Sequence, residues 1–502
     1  MAAREGSPAV SLAELDKATA ASWDAIVAAN SHTLAADFLF RYGNEPSRLE
    51  RTDEGRLIPR PLTIDRMRHR LNEIGRWQRD GKNGPYTLAA APLDLVRNVL
   101  ATPDPPLPVL TRIVEVPVLG SDGSVHDTPG YGPTHRVFYE PAPGLVVPPL
   151  ARRGPSAADV SRARDLLAVD LLGDFPFVGE AERAHALCLI LQPFVRDLIS
   201  GPTPLFLVEA PTPGTGKGLL AHVACWAMTG APLPPMTEAR DEDEWRKRIT
   251  AVLRKSPTAV LIDNLGAPLD SAALSAALTS EWWEDRDLGH SRVITLPNRA
   301  IWIATGNNPA LSGEIARRTV RIRLDAKVEH PEDRAEFRHK NLQRWADEHR
   351  GELVWAALTL ARAWVVAGRP TGNGSLGSFE AWSEVLGGIL NVAAVPGFLA
   401  NKDDLRARAG SEREDMHAFL SDWRGVHGIG TQMRTRDLGP VLLAHLGIGG
   451  ETTADIHRAG KMLHRYADRP FGDLVLRRGA SRGGTATWLV EDLGAVQVGS
   501  VG

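Results

Sequence analysis

Gly214, Thr215, Gly216 and Lys217 stand between an apolar run at 205–210 and a stretch beginning Gly218-Leu219-Leu220. Glycines in such a turn let backbone N–H groups converge on an anion. A helix start adds the positive end of its dipole, and a lysine adds a point charge. A strand, a glycine-rich turn, a lysine and a helix, in that order, make a phosphate-binding loop for a nucleoside triphosphate. Pro213 and Gly218 complete it. Two positions depart from the usual loop. Pro211 replaces the first glycine, and Gly218 replaces the hydroxyl residue that would ligate Mg2+. Thr212 and Thr215 are the nearby hydroxyls that would have to compensate.

Two further strand-like runs end in polar residues. The run 258–264 ends in Asp263 and Asn264. A carboxylate at the tip of a neighbouring strand is suited to hold Mg2+ through its water shell. The run 300–307 ends in Asn307, placed to orient a water or touch a terminal phosphate. Arg317 and Arg318 follow shortly after. Asn264 occupies the position where a general base is expected, and an amide cannot accept a proton. Glu209, Glu281 and Asp285 are the acids that would take its place.

These residues need a scaffold that brings strand ends together. From about 156 to 325 short apolar strands alternate with helical stretches, which predicts a parallel sheet with helices on its faces. The chain divides by composition into a mixed α/β domain (1–150), the α/β core (156–330), a helical connector (331–405) and a C-terminal unit (411–492). Within the first, 11–29 is amphipathic and 63–79 reads as an arginine-rich helix capped by Thr63. Residues 121–123 read as a hairpin turn, and 141–149 as an extended linker. The last unit reads as short helices followed by a strand, a turn and a strand.

Composition bounds the function. In 502 residues, 58 Lys+Arg against 61 Asp+Glu give a net charge of −3, which excludes a chain coated in basic charge. Hydrophobic residues at 43% supply a real core. Cys188 and Cys225 form neither a disulfide framework nor a zinc pattern. No apolar stretch is long enough for a membrane span, and the start lacks signal-peptide character, so a cytoplasmic protein without membrane contact is expected.

The order ProGlyThrGlyLys, LeuIleAspAsn, IleAlaThrGlyAsn, IleAlaArgArg resembles an AAA+ ATPase. In family terms these are Walker A, Walker B, sensor 1 and an arginine finger. The segment 283–300 reads as a β-hairpin before the sensor strand. That resembles superfamily 3-type replication helicases of phages, plasmids and integrated mobile elements. The resemblance covers 160–330. It implies an ATP- and Mg2+-dependent DNA helicase or replication initiator working as a ring, a hexamer in that family. Lys217, Asp263 and Asn307 would act from one subunit, with Arg317 or Arg318 from its neighbour. His290, Arg292 and Arg286 on the hairpin would grip single-stranded or forked DNA. A primase or other replication protein would dock at the N-terminal domain.

The C-terminal unit resembles a winged helix-turn-helix. Between 431 and 482 nine basic residues face five acids, and Arg477, Arg478 and Arg482 lie where a wing would touch DNA. The other reading is a nucleotide-gated DNA-binding switch or scaffold, in replication or in defence, with slow or vestigial hydrolysis. Gly218 and Asn264 favour it.

Overall fold

The runs that end in Ala210, Asn264 and Asn307 become strands of one parallel sheet. The computed structural model describes residues 9–11, 14–30, 38–81, 84–287, 293–450, 452–482 and 485–493. The sheet order is Pro235–Met236, Ala259–Leu265, Ile301–Asn307, Leu205–Ala210, Thr319–Arg323. Leu205–Ala210 is buried at every position, as is Ile301–Gly306. Strands covered on both faces read as continuous apolar runs, which is why no alternation marks them.

Two units are present, Met1–Lys402 and Asp403–Gly502. In the first, helices Glu180–Val195, Lys217–Thr229 and Arg350–Val366 share one core with the sheet. Val114, Val118, Val137 and Tyr139 belong to that same core, so the unit continues across residue 150. A smaller core lies under helices Leu15–Asn30, Ile64–Ile74 and Leu93–Leu100, and includes Trp23, Leu71 and Trp77. The helix predicted over 63–79 is shorter than its arginine pattern suggests. Thr63 caps it by accepting from the Arg66 N–H at 3.3 Å. Gly75 is extended, and Arg76–Gly81 is a strand paired with Ala9–Ser11 and Gly84–Ala89. Burying Trp77, 1% exposed, in the strand outweighs continuing an exposed helix. The turn at 121–123 joins Val118–Leu119 to Val125–His126 in an antiparallel pair.

The second unit contains helices Gly439–Ala444 and Thr453–Tyr466 and most of Lys402–His427. Its antiparallel sheet has the order Met433–Arg434, Thr485–Asp492, Leu474–Arg482, Pro470–Phe471. Phe419, Trp423, Leu443, Leu463 and Trp488 form its core. Thr452 and Asp455 close a reciprocal cap on the Thr453–Tyr466 helix. Among the described residues, no helix is long and apolar enough to cross a membrane.

Candidate functional site

The loop after Leu205–Ala210 turns on two glycines, Gly214 at φ +75° and Gly216 at φ +97°. Gly216 caps the Lys217–Thr229 helix. Left-handed backbone at both positions makes glycine the residue of choice. Pro213 is exposed at the crest of the turn. The Thr215 hydroxyl is buried and donates to the Thr212 carbonyl at 2.8 Å, which ties the loop to itself. A side chain at Gly218 would start in open space.

Lys217 reaches out of this loop. Its Nζ donates to Asn307 Oδ1 at 2.7 Å and to the Thr212 carbonyl at 3.3 Å. Burial holds the ammonium below its usual range, partly offset by the Asp263 carboxylate. The Ile301–Asn307 strand lies between the strands that lead to Lys217 and Asp263, so Asn307 comes up between them. On the other side, the pairing of Ala259–Leu265 slips between Ile262 and Leu265. Asn264 takes φ +56°, and the slip exposes both Asp263 and Asn264.

Thr305 joins the two strands. Its hydroxyl donates to Asp263 Oδ1 at 2.6 Å and accepts from the Asn264 N–H at 2.8 Å. No motif in the sequence marks it. Its signal was a hydroxyl two residues before Asn307, on the same face of a buried strand.

The three acids named as substitutes for a base are all engaged. Glu209 is fully buried and accepts from Arg321 at 2.7 Å and Arg323 at 2.8 Å. Glu281 binds Arg299 at 3.2 Å and the Gly201 N–H at 2.9 Å. Asp285 pairs with Arg246 and accepts from Thr250 at 3.0 Å. These contacts tie each of the three carboxylates into the fold. Arg317 binds Glu314 at 2.6 Å and Arg318 binds the same carboxylate, which these contacts hold below its usual range. The Arg317 side chain is 52% exposed and that of Arg318 is 13% exposed, so Arg317 is the one presented outward.

The hairpin is present as Trp282–Arg286 paired with Val293–Pro297. Trp283 donates to Thr250 at 2.8 Å, and Asp287 binds Arg254 at 2.5 Å, which ties the first strand along its length to the Glu242–Leu253 helix and its C-cap. Arg286 is exposed and pairs with Val293 at the loop end of the ladder, while His290 and Arg292 lie outside the described residues. A turn from the N-terminal region packs on the other strand. Gly43, at φ +63°, lies so close to the Thr295 carbonyl that a Cβ would sit 1.8 Å from its oxygen. After the hairpin, Asn298 pins the joint to the next strand. Its amide donates to the carbonyls of Ala277 at 2.6 Å and Ser280 at 3.0 Å, and its oxygen accepts from Trp302 at 3.2 Å. Glu332 lies over the Gly214 turn: a Cβ on Gly214 would be 2.7 Å from its Oε2.

No protein-family model matches the sequence. No curated protein matches it either. Among solved structures, the chain is similar to the JCV helicase, crystallised with a thiazolopyridine-containing acetamide. The identity is 14% over 55% of this chain and 67% of that chain, with a TM-score of 0.23. That likeness carries no argument about activity.

In the second unit Arg477 and Arg478 point to opposite faces of their strand. Arg477 binds Asp468 at 2.7 Å and Glu491 at 3.0 Å. Its charge, expected to face DNA, is met here by these two carboxylates. Arg478 lies opposite Trp488 on the face toward the Thr453–Tyr466 helix. The side chain of Arg482 lies outside the described residues.

Proposed function

We propose that the chain is an ATP-dependent DNA helicase or replication initiator of a mobile genetic element, built on an AAA+ core and working as a ring, a hexamer by family resemblance. The observation that carries this reading is the Lys217–Asn307 contact, with Asp263 turned toward the same strand ends by Thr305. The loop fits the phosphates of ATP: two left-handed glycines open a cradle, and Lys217 is held where it can exchange Asn307 for a phosphate oxygen. Mg2+ fits as well. It commonly binds through one or two carboxylates, its waters and the substrate's phosphates. Asp263 would supply the carboxylate without a hydroxyl at position 218. The ion's contribution is to neutralise phosphate charge.

Lys217 binds and orients the β- and γ-phosphates. Asn307, released from Lys217, positions the attacking water. Arg317 of a neighbouring subunit stabilises the transferred charge once it leaves Glu314, with Arg318 behind it. Phosphoryl transfer depends mainly on positioning and charge stabilisation, so Asn264 in place of an acid is compatible with turnover. Arg286 and the hairpin would track a single strand. The small helices and paired strands of the second unit support a winged helix that adds DNA contacts. A primase or other replication protein would dock on the N-terminal region.

The second reading is a nucleotide-gated switch or scaffold, in replication or defence, with slow hydrolysis. The engagement of Glu209, Glu281 and Asp285 in ion pairs favours it. ATP turnover with and without single-stranded DNA, and strand displacement on a fork, separate the two. Wild type is compared with Asp263→Ala. DNA-stimulated turnover and displacement, both lost in the variant, are expected. ATP-dependent DNA binding without turnover would leave the switch.

A further inference from the structure

The second unit sorts its basic side chains into two groups. Arg424 binds Asp473 at 3.0 Å, Arg434 binds Asp437 at 2.7 Å, Arg458 binds Asp455 at 2.9 Å and Arg477 binds Asp468 at 2.7 Å. Lys461 and Arg478 hold no acid among the described residues. Both line an open cleft of about 530 Å3, together with Arg436, His457 and His464, and no Asp or Glu lines it. Arg436 has only a long contact, 3.7 Å, with Asp437.

Helical spacing puts His457, Lys461 and His464 on one face, spread over about 10 Å of helix. Arg478 joins them from the sheet, and Gly460 keeps the floor low between them. Leaving cations unpaired while their neighbours are paired marks a surface that meets an anion elsewhere.

The form of that anion follows from the aromatic residues. Phe419, Trp423, Tyr466, Phe471 and Trp488 are the unit's five aromatics, and each is at most 5% exposed. Single strands without sequence preference are held by stacking bases on exposed rings. This unit presents no such ring. A duplex offers closely spaced phosphates, about one charge per 1.7 Å of axis, beside a groove that admits a helix.

We propose that this cleft binds the phosphate backbone of duplex nucleic acid, anchoring the chain to double-stranded DNA while single strands are left to the ATPase core. The proposal rests on the nucleic-acid reading above, and it names the partner of this unit and the residues that hold it, Lys461 and Arg478 with Arg436.

The test is fluorescence anisotropy on the full chain without nucleotide, using a blunt duplex and a dT oligonucleotide of equal length across a salt series. The Lys461→Ala, Arg478→Ala double variant is expected to weaken duplex binding about 10-fold or more. It should also flatten the slope of log K against log salt by about 2, one for each phosphate contact removed. Gly460→Glu, whose Cβ would meet only Thr435 at 3.6 Å, is expected to do the same by placing a carboxylate on the floor. The control Arg458→Ala should leave duplex affinity within about 2-fold, because that side chain is already paired. Duplex affinity unchanged in both cleft variants overturns the proposal. So does a selective loss of dT binding, which would make this a single-strand site. ATP binding is measured on the same preparations. Its absence in wild type would sink the ATPase reading and leave the duplex result standing by itself.

Discussion

Replacing Thr305 by valine removes a hydroxyl and keeps the shape of the side chain. Thr305 is 2% exposed, and its oxygen both donates to Asp263 at 2.6 Å and accepts from the Asn264 N–H at 2.8 Å. A hydrogen bond to a charged group contributes about 1.5–3 kcal/mol, and a stranded buried N–H costs about 1–3 kcal/mol. The two share one atom and Asn264 is partly exposed, so they do not simply add; Thr305→Val is expected to lower unfolding stability by about 2–4 kcal/mol. The larger consequence is at Asp263. A carboxylate freed of its orienting partner should bind the Mg2+ of MgATP about 10–100-fold less well. Thr305→Ser keeps the hydroxyl and should retain most of both properties. Chemical denaturation gives the stability. A Mg2+ titration of fluorescent ATP-analogue binding gives the site effect. A valine variant that loses stability but keeps the wild-type Mg2+ midpoint would refute the claim that Thr305 aims Asp263.

Gly43→Ala forces a Cβ to within 1.8 Å of the Thr295 carbonyl at a left-handed position that itself costs alanine about 1–2 kcal/mol. It is expected to lower the melting temperature and the DNA stimulation of ATP turnover while leaving ATP affinity unchanged; unaltered stimulation would detach this turn from the hairpin. Glu332→Gln removes a negative charge from over the phosphate loop and should tighten ATP binding several-fold by equilibrium titration; equal or weaker binding would show that the carboxylate does not oppose the nucleotide. His185 is buried, its pKa pushed down to about 4, with Nδ1 against the Arg321 carbonyl and Nε2 accepting from the Leu399 N–H. Between that value and its ordinary 6.5 the unfolded chain binds a proton that the folded chain does not. Stability is therefore full above about pH 6.5 and falls by about 3 kcal/mol as pH drops to 4. Denaturation midpoints for wild type and His185→Gln across that window check it, and parallel curves would remove His185 as the cause.

Lys217, Asp263 and Asn307 are legible in the sequence because each stands at the edge of an apolar run. A run buried on both faces announces its strand whatever its partners are. The hairpin is legible for a similar reason, since two short strands enclose polar residues. Contacts across strands are less visible. Thr305 reads as one more β-branched residue until its strand is placed beside Asp263. Glu332 is far from Gly214 in sequence, and nothing local places it over the loop. Arg477 and Arg478 show the limit most simply. Adjacent arginines have the same charge, yet one is neutralised by Asp468 and Glu491 and the other faces an open cleft. The helix over 63–79 fails for the opposite reason: its arginine pattern is helical, but burial of Trp77 decides the backbone from Gly75 onward.

The Asn298 clamp turns two separate elements into the arms of a lever. One arm, Ile301–Asn307, ends beside Lys217; the other, Val293–Pro297, is the second strand of the hairpin and runs back to its loop end, with only residues 298–300 between them. At about 3.3 Å per residue the arms are roughly 20 and 15 Å long. Arms of such similar length give almost no mechanical gain. A shift at Asn307 when Lys217 lets go would reach the hairpin changed in direction and hardly changed in size. In the proposed motor, the stroke from one nucleotide would be set by how far Asn307 can travel, and a longer step along DNA would have to be assembled from several subunits in turn.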